Sequence, residues 1–278
     1  MTQIGCHVSI ARGIDNAPKI ASELGCEIMQ IFTRSPQGGT AIKISKELAE
    51  NFKKQCKKYK IKNVYVHTPY YINLASKNNR VRYGSINAIR IELERADALG
   101  AKYVMTHLGS AKELGEGESL KKIIEGLQKA LDGYKGTTKL LIENSAGAGN
   151  IIGADFEEIG KILSALSTLP LAGLAGICLD TQHSFASGYD WKNDFDKCLK
   201  ILEKNIGLKN VKLIHANDSA SEAGSRKDRH ANIGDGKIGL EGFKKIARFA
   251  KKNKIDMICE TAYPGVIQDI KILKRLVK

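Results

Sequence analysis

Nine residues of this 278-residue chain are of types that do chemistry and recur in one kind of place: His67, His107, Glu143, Asp180, His183, His215, Asp228, His230 and Glu260. Seven stand at or just beyond the ends of short apolar runs, and Asp228 and His230 occupy a polar loop. Taken singly, a histidine in such a place is more often a hydrogen-bonded structural residue, and a carboxylate is as often a helix cap. Taken together, five histidines and four carboxylates converging on one mouth would repel or titrate unless metal ions held them. A His and carboxylate set suits Zn²⁺, ahead of Mn²⁺ or Fe²⁺. Nine donors exceed one tetrahedral site, so the count predicts two or three ions with one carboxylate as a bridge. In an extended chain, residues two apart face the same side, so Asp228 and His230 can share an ion. Asp180 and His183 need a turn between them to do that, and more naturally serve two ions. Three divalent ions would outweigh the four carboxylates, which suits an anionic phosphodiester better than a neutral sugar. Such a site activates water, orients the phosphate and stabilises the attacking and leaving oxygens.

The elements that must position these residues follow one rhythm. Residues 3–8 are a strand-like run ending at His7, and a helix-like segment spans 14–25. A second run, 26–32, feeds a polar loop, 33–40. Ser45 is a predicted N-cap for a helix with Leu48, Phe52, Cys56 and Tyr59 on one face. The third run, 64–66, ends at His67, and a helix predicted over 84–99 stops at Gly100. The fourth, 103–106, ends at His107; the fifth, 140–142, ends at Glu143. Asp155 and Glu158 form a predicted capping box for a helix burying Ile159, Leu163 and Leu166. The sixth run, 174–179, meets Asp180; the seventh, 211–214, ends at His215. A helix with Leu240, Phe243, Ile246 or Ala247, and Ala250 inward precedes the eighth run, 256–259, which ends at Glu260. A last helix starts near 266.

Eight strand–helix alternations with no linker or composition shift predict one domain, a closed (β/α)₈ TIM barrel with its site at the C-terminal strand ends. A doubly wound open sheet competes, but no GxGxxG follows the first strand, and a ring explains ionisable residues at strand ends all along the chain. His7, from the first strand, is either an orienter of a metal ligand or a structural histidine under the mouth. The net charge of +14 fits a lysine-rich soluble background or a polyanionic partner, most simply nucleic acid. Lysine-rich stretches at 53–58, 243–245 and 251–254 fall on helices outside the barrel and read as solvated faces. Six cysteines without a CxxC pair fit buried, reduced thiols. Without a basic leader or an apolar run of spanning length, the chain is expected in the cytoplasm, or the nucleus of a nucleated source, with no membrane partner.

The motifs GCHVS (5–9), QIFTRSP (30–36), YYINLAS (70–76) and THLGS (106–110) resemble the endonuclease IV family of apurinic/apyrimidinic endonucleases. So do IENSAGAG (142–149), GICLDTQH (176–183), HANDS (215–219), GSRKDRHANIGDGKIG (224–239) and CETAYPG (259–265), and the likeness spans essentially the whole chain. The resemblance implies a barrel with three zinc ions per chain that cuts duplex DNA 5′ to abasic sites, leaving a 3′-hydroxyl and a 5′-deoxyribose phosphate, and clears blocked 3′ ends. One zinc would take His67, His107 and Glu143. The second would share Glu143 and add Asp180, His215 and Glu260, and the third would take His183, Asp228 and His230. Glu260 and Glu143 would be the catalytic carboxylates, Glu260 positioning or deprotonating the attacking water.

Gln182 departs from a cysteine usual in the family, Gln37 from an arginine that enters the DNA stack, Tyr71 from a leucine, and Ala148 from a glutamine. None is a metal position. Arg34, Gln37, Tyr70, Tyr71, Arg226 and Arg229 are the expected DNA contacts, with Tyr70 and Tyr71 filling the gap at an abasic site. The protein would act as a monomer. Two rivals remain: a sugar-phosphate isomerase or epimerase of the same fold, with fewer metal ligands, and a non-catalytic nucleic-acid-binding barrel. Against the first stands the third group, His183, Asp228 and His230, and against the second the intact set of nine ligands, which binding alone does not need.

Overall fold

The computed structural model describes residues 1–39, 41–167 and 173–278; Thr40, the last residue of the predicted loop after the second strand, lies outside them. Eight parallel strands close into a barrel: β1 (Ile4–His7), β2 (Ile28–Ile31), β3 (Val64–His67), β4 (Tyr103–Thr106), β5 (Lys139–Glu143), β6 (Leu174–Asp180), β7 (Val211–His215) and β10 (Asp256–Cys259). Two short strands, β8 (Asp218–Ser219) and β9 (His230–Ala231), pair antiparallel above the mouth. The helices are α1 (Ala17–Glu23), α2 (Lys46–Lys58), α3 (Asn79–Leu99), α4 (Glu116–Leu131), α5 (Phe156–Ser167), α6 (Thr181–Ala186), α7 (Phe195–Asn205), α8 (Gly239–Asn253) and α9 (Val266–Leu276). No helix among the described residues is long and apolar enough to cross a membrane.

Alternation along each strand decides what points inward. Ile28, Tyr65, Met105, Leu141, Cys178, Leu213 and Ile258 form one buried cluster inside the barrel. Their strand neighbours, such as Met29, Val66, Val104 and Ile142, belong to the outer core beneath the helices. On β1 the interior place falls to Gly5, because a Cβ there would come within 1.8 Å of the Ile28 carbonyl oxygen. Tyr65 donates its hydroxyl to Asp256, which also accepts from Asn63 and the Gln3 amide, so polar groups on the barrel floor are satisfied.

The predicted caps are observed. Ser45 Oγ accepts from Leu48 N; at the start of α5, Asp155 Oδ1 accepts from Glu157 N, and Glu158 Oε2 accepts from Gly153 N at 2.9 Å and from Asp155 N at 3.5 Å. Two expectations are corrected. The helix predicted from 84 begins at Asn79, because Asn78 Oδ1 accepts from Arg80 N and Val81 N and supplies a cap one turn earlier. Leu240, predicted inward, is 42% exposed beside the Gly234 turn, whereas Phe243, Ile246, Ala247 and Ala250 are buried.

Candidate metal centre

Two residues beyond the apolar layer, every barrel strand or its first following residue contributes a polar side chain. In barrel order these are His7, Glu260, His215, Asp180, Glu143, His107, His67 and Gln30. The two-residue period of the strand thus stacks a polar ring directly on an apolar plug. His183 joins from the first turn of α6, where Asp180 is the N-cap and accepts from His183 N at 2.7 Å. That turn brings His183 back over Asp180. Asp228 and His230 descend from the loop that β8 and β9 pin together.

Three groups of donors result, each with atoms within 4.8 Å of one another: His67, His107 and Glu143; Glu143, Asp180, His215 and Glu260; and Asp180, His183 and His230. Asp228 stands beside the third, with its oxygens 3.5 Å from His183 Nε2 and 3.4 Å from His230 Nε2. All nine predicted residues are therefore brought together. Asp180 borders both His183 and His215, so the turn that spacing alone left open does exist. Glu143 links two groups, with Oε2 at 2.9 Å from His67 Nε2 and Oε1 at 2.9 Å from His215 Nδ1.

The donor chemistry fits divalent ions. Ligand atoms about 2.0–2.2 Å from one tetrahedral zinc lie roughly 3.4 Å apart, and His67 Nε2 and His107 Nε2 stand 2.9 Å and 3.8 Å from Glu143 Oε2. Two buried ring nitrogens, His107 Nδ1 and His230 Nε2, have no hydrogen-bond partner among the described residues. Such an orphan is costly unless another acceptor of its lone pair arrives.

Charge within the cluster is unevenly held without ions. Burial lowers His7 and His107 to about 4. Burial also opposes charge on His183, but Asp180, the Asp228 hydrogen bond and Glu143 raise it to about 10. An unfolded histidine titrates near 6.5. Because His7 and His107 bind protons more readily when unfolded, stability of the metal-free protein should fall as pH drops from about 6.5 towards 4. His183 contributes stability that is fully present below about 6.5 and lost as pH rises towards 10. Thermal melts in chelator should therefore peak near pH 6.5, and zinc should restore the alkaline side, since it binds neutral imidazole. A flat profile from pH 5 to 9 would contradict this assignment.

Residues that sequence reasoning did not place at the site hold its ligands still. Gln30 donates to Glu260 Oε1 at 2.6 Å, accepts from His215 Nε2 at 2.7 Å and meets His7 Nδ1 at 3.0 Å. His7 thus acts on the ring through Gln30. Asn217 donates to Asp180 Oδ2 and Glu260 Oε2, while Asn144 brackets the Asp180 backbone and its carbonyl meets His183 Nδ1. Gln182 is buried, belongs to none of the donor groups, and donates to the Lys227 carbonyl at 3.0 Å. It ties α6 to the loop carrying Asp228 and His230. Asp218 accepts backbone N–H bonds from Ser219, Gly234, Gly236, Ile238 and Gly239, fixing the far end of that loop.

A cavity of about 1300 Å³ opens over the centre. Arg34, Tyr70, Tyr71 and Ala148 line it; Gln37, Arg226 and Arg229 lie exposed outside its wall. Arg34 is also held from behind, its Nε 2.6 Å from Glu92.

A closed barrel with this centre at its C-terminal mouth defines a class, and the family described as a xylose isomerase-like TIM barrel matches residues 18–276. The chain is 40% identical over 280 residues to the probable endonuclease 4 of Cenarchaeum symbiosum, covering 98% of this chain and 97% of that protein. It is 38% identical over 251 residues to the probable endonuclease 4 of Aquifex aeolicus, covering 89% and 87%. Endonuclease IV from Thermus thermophilus superposes with a TM-score of 0.87 at 30% identity, over 99% of this chain and 98% of that one. A D-tagatose 3-epimerase-like protein, at 20% identity and a TM-score of 0.73 over 99% and 97%, shares the fold. The chain belongs to the endonuclease IV family and is a hydrolase of that type.

Proposed function

We propose that this protein is a zinc-dependent DNA-repair endonuclease that hydrolyses the phosphodiester 5′ to abasic sites in duplex DNA. The products would be a 3′-hydroxyl and a 5′-deoxyribose phosphate, and the same centre would clear blocked 3′ ends. The observation that carries this reading is the contact of three donor groups through Glu143 and Asp180, under one cavity that His67, His107, Glu143, His183, His230 and Glu260 line. His67, His107 and Glu143 would hold one ion, Glu143, Asp180, His215 and Glu260 a second, and His183, Asp228 and His230 a third. Zinc ions bound there would supply hydroxide at neutral pH and Lewis-acid stabilisation of phosphoryl oxygens.

The chain's own groups do the rest. Gln30 and Asn217 each hold one Glu260 oxygen, so that carboxylate is oriented to position the attacking water and take its proton. Arg34 offers a fixed cation to a phosphate, which positions the strand without reading sequence. Tyr70 and Tyr71, 67% and 40% exposed at the rim, can fill the space left by a missing base. An abasic nucleotide lacks the stacking that resists extrusion, so turning it into the cavity costs less than turning an intact one. The same reading has one domain acting as a monomer in the cytoplasm, or in the nucleus of a nucleated cell.

The test is incubation of purified protein with duplex oligonucleotide carrying one abasic site. Cutting on the 5′ side, abolished by chelator and restored by Zn²⁺, is expected. Zinc-loaded protein that leaves the duplex whole sinks the proposal. Asp228→Ala should depress cleavage far more than duplex binding, and equal losses would remove its assigned role. One ion per chain by metal analysis would favour the isomerase reading.

A further inference from the structure

Tyr263 is 75% exposed, more than Tyr70 or Tyr71, and it lines the same cavity. It follows Glu260 by three residues in the loop after β10, whereas Tyr70 and Tyr71 follow β3; the loops after β1 and β2 lie between them on the rim. The three rings therefore stand on two separated arcs facing one space.

The turn that carries Tyr263 is held firmly. Asp269, buried at the start of α9, accepts from Thr261 Oγ1, from Asn232 Nδ2 at 2.7 Å and from Ile233 N at 2.8 Å. Gly265 sits so close to Asn232 that an added Cβ would meet its side chain at 2.4 Å. Chain segments on both sides of Tyr263 are thus fixed to the loop that delivers His230. An apolar ring left in water on a rigid support has little to gain in the free protein. The backbone that carries it has already lost the freedom that binding would otherwise cost.

We propose that Tyr263 stacks on a nucleobase of the bound strand, across the cavity from Tyr70 and Tyr71, so that the rim acts as a two-jawed aromatic clamp. A nucleobase fits because a tyrosine face takes a flat, polarisable partner, and every base has such a face, so the contact adds grip without sequence preference. This rests on the DNA-repair reading above. Stacking requires the ring and not the hydroxyl, and it releases no counterions. The first property separates it from a hydroxyl hydrogen bond to phosphate, and the second from an ionic contact to phosphate.

Steady-state cleavage of the abasic duplex by zinc-loaded wild type, Tyr263→Ala and Tyr263→Phe tests the proposal. Tyr263→Ala should raise KM about tenfold with kcat within about twofold of wild type. The slope of log KM against log salt should not change, and Tyr263→Phe should match wild type. An unchanged KM in Tyr263→Ala overturns the clamp while leaving the endonuclease reading intact. Equal damage in Tyr263→Phe overturns stacking in favour of a hydroxyl contact. Wild type that does not cut the duplex overturns the parent reading and the clamp with it.

Discussion

Glu143→Gln is expected to bind fewer zinc ions per chain and to cut an abasic duplex at least about a hundredfold more slowly. Removing a partner that merely orients a ligand typically costs about 10–100-fold in affinity or activity, and Glu143 would be a ligand in two donor groups at once. Its two oxygens face His67 Nε2 and His215 Nδ1, each at 2.9 Å. An amide keeps the volume and one acceptor, but presents N–H to one of those rings and carries no charge. The loss should therefore fall on ion binding and chemistry, with little change in the fold. Metal content by elemental analysis and single-turnover cleavage rates measure the two effects. Melting in chelator checks that the barrel is intact. A full complement of metal with wild-type rates would show that Glu143 bridges nothing.

How much of this centre the sequence discloses follows from strand geometry. A residue ending an apolar run is visible when it is charged, and so Glu143, Asp180, His215 and Glu260 stand out. The same register rule reaches further than charge. Ile28 lies in the apolar layer, so Gln30 must lie in the polar ring, two residues towards the mouth. Gln30 is hidden in sequence because a neutral amide inside the run Ile28–Ile31 carries no mark of chemistry. Asn144 and Asn217 are hidden for a related reason. Each follows a ligand by one or two residues, where polar loop residues are expected anyway. Helix starts are less legible than helix faces. Asn78 caps α3 within a polar stretch that offers several equivalent caps, so periodicity alone began the helix too late.

The loop bearing Asp228 and His230 shows why long-range assembly escapes local spacing. Two residues apart, they both approach His183, Asp228 Oδ2 at 3.5 Å from its Nε2 and the His230 ring at 5.6 Å between centroids. What brings the loop to His183 is not local. Gln182 holds the Lys227 carbonyl, β8 pairs with β9, and Asp218 gathers the amides of residues 234–239. Gln182, between Asp180 and His183, is therefore part of the support for the third donor group.

Glu92→Ala is expected to destabilise the protein by about 3–5 kcal/mol, because it strands buried cations without their partner. Glu92 is fully buried on α3. Its Oε1 lies 2.6 Å from Arg34 Nε and 3.9 Å from Arg95 Nε, and its Oε2 accepts from Thr33 Oγ1. Arg34 and Arg95 keep only 12% and 11% of their side-chain surface in water. Arg95 in turn donates to the carbonyls of Thr33 and Ile42, so one carboxylate anchors both ends of the loop after β2. For a chain of this length the loss corresponds to a fall in Tm of roughly 10 °C. Glu92→Gln keeps an acceptor for Thr33 or Arg34 and should fall between the two. The Ala variant should also weaken duplex binding, since Arg34 reaches the cavity only while Glu92 holds it from behind. Thermal unfolding of the three proteins decides the matter: melting of Glu92→Ala within about 2 °C of wild type would mean that water reaches and satisfies both arginines.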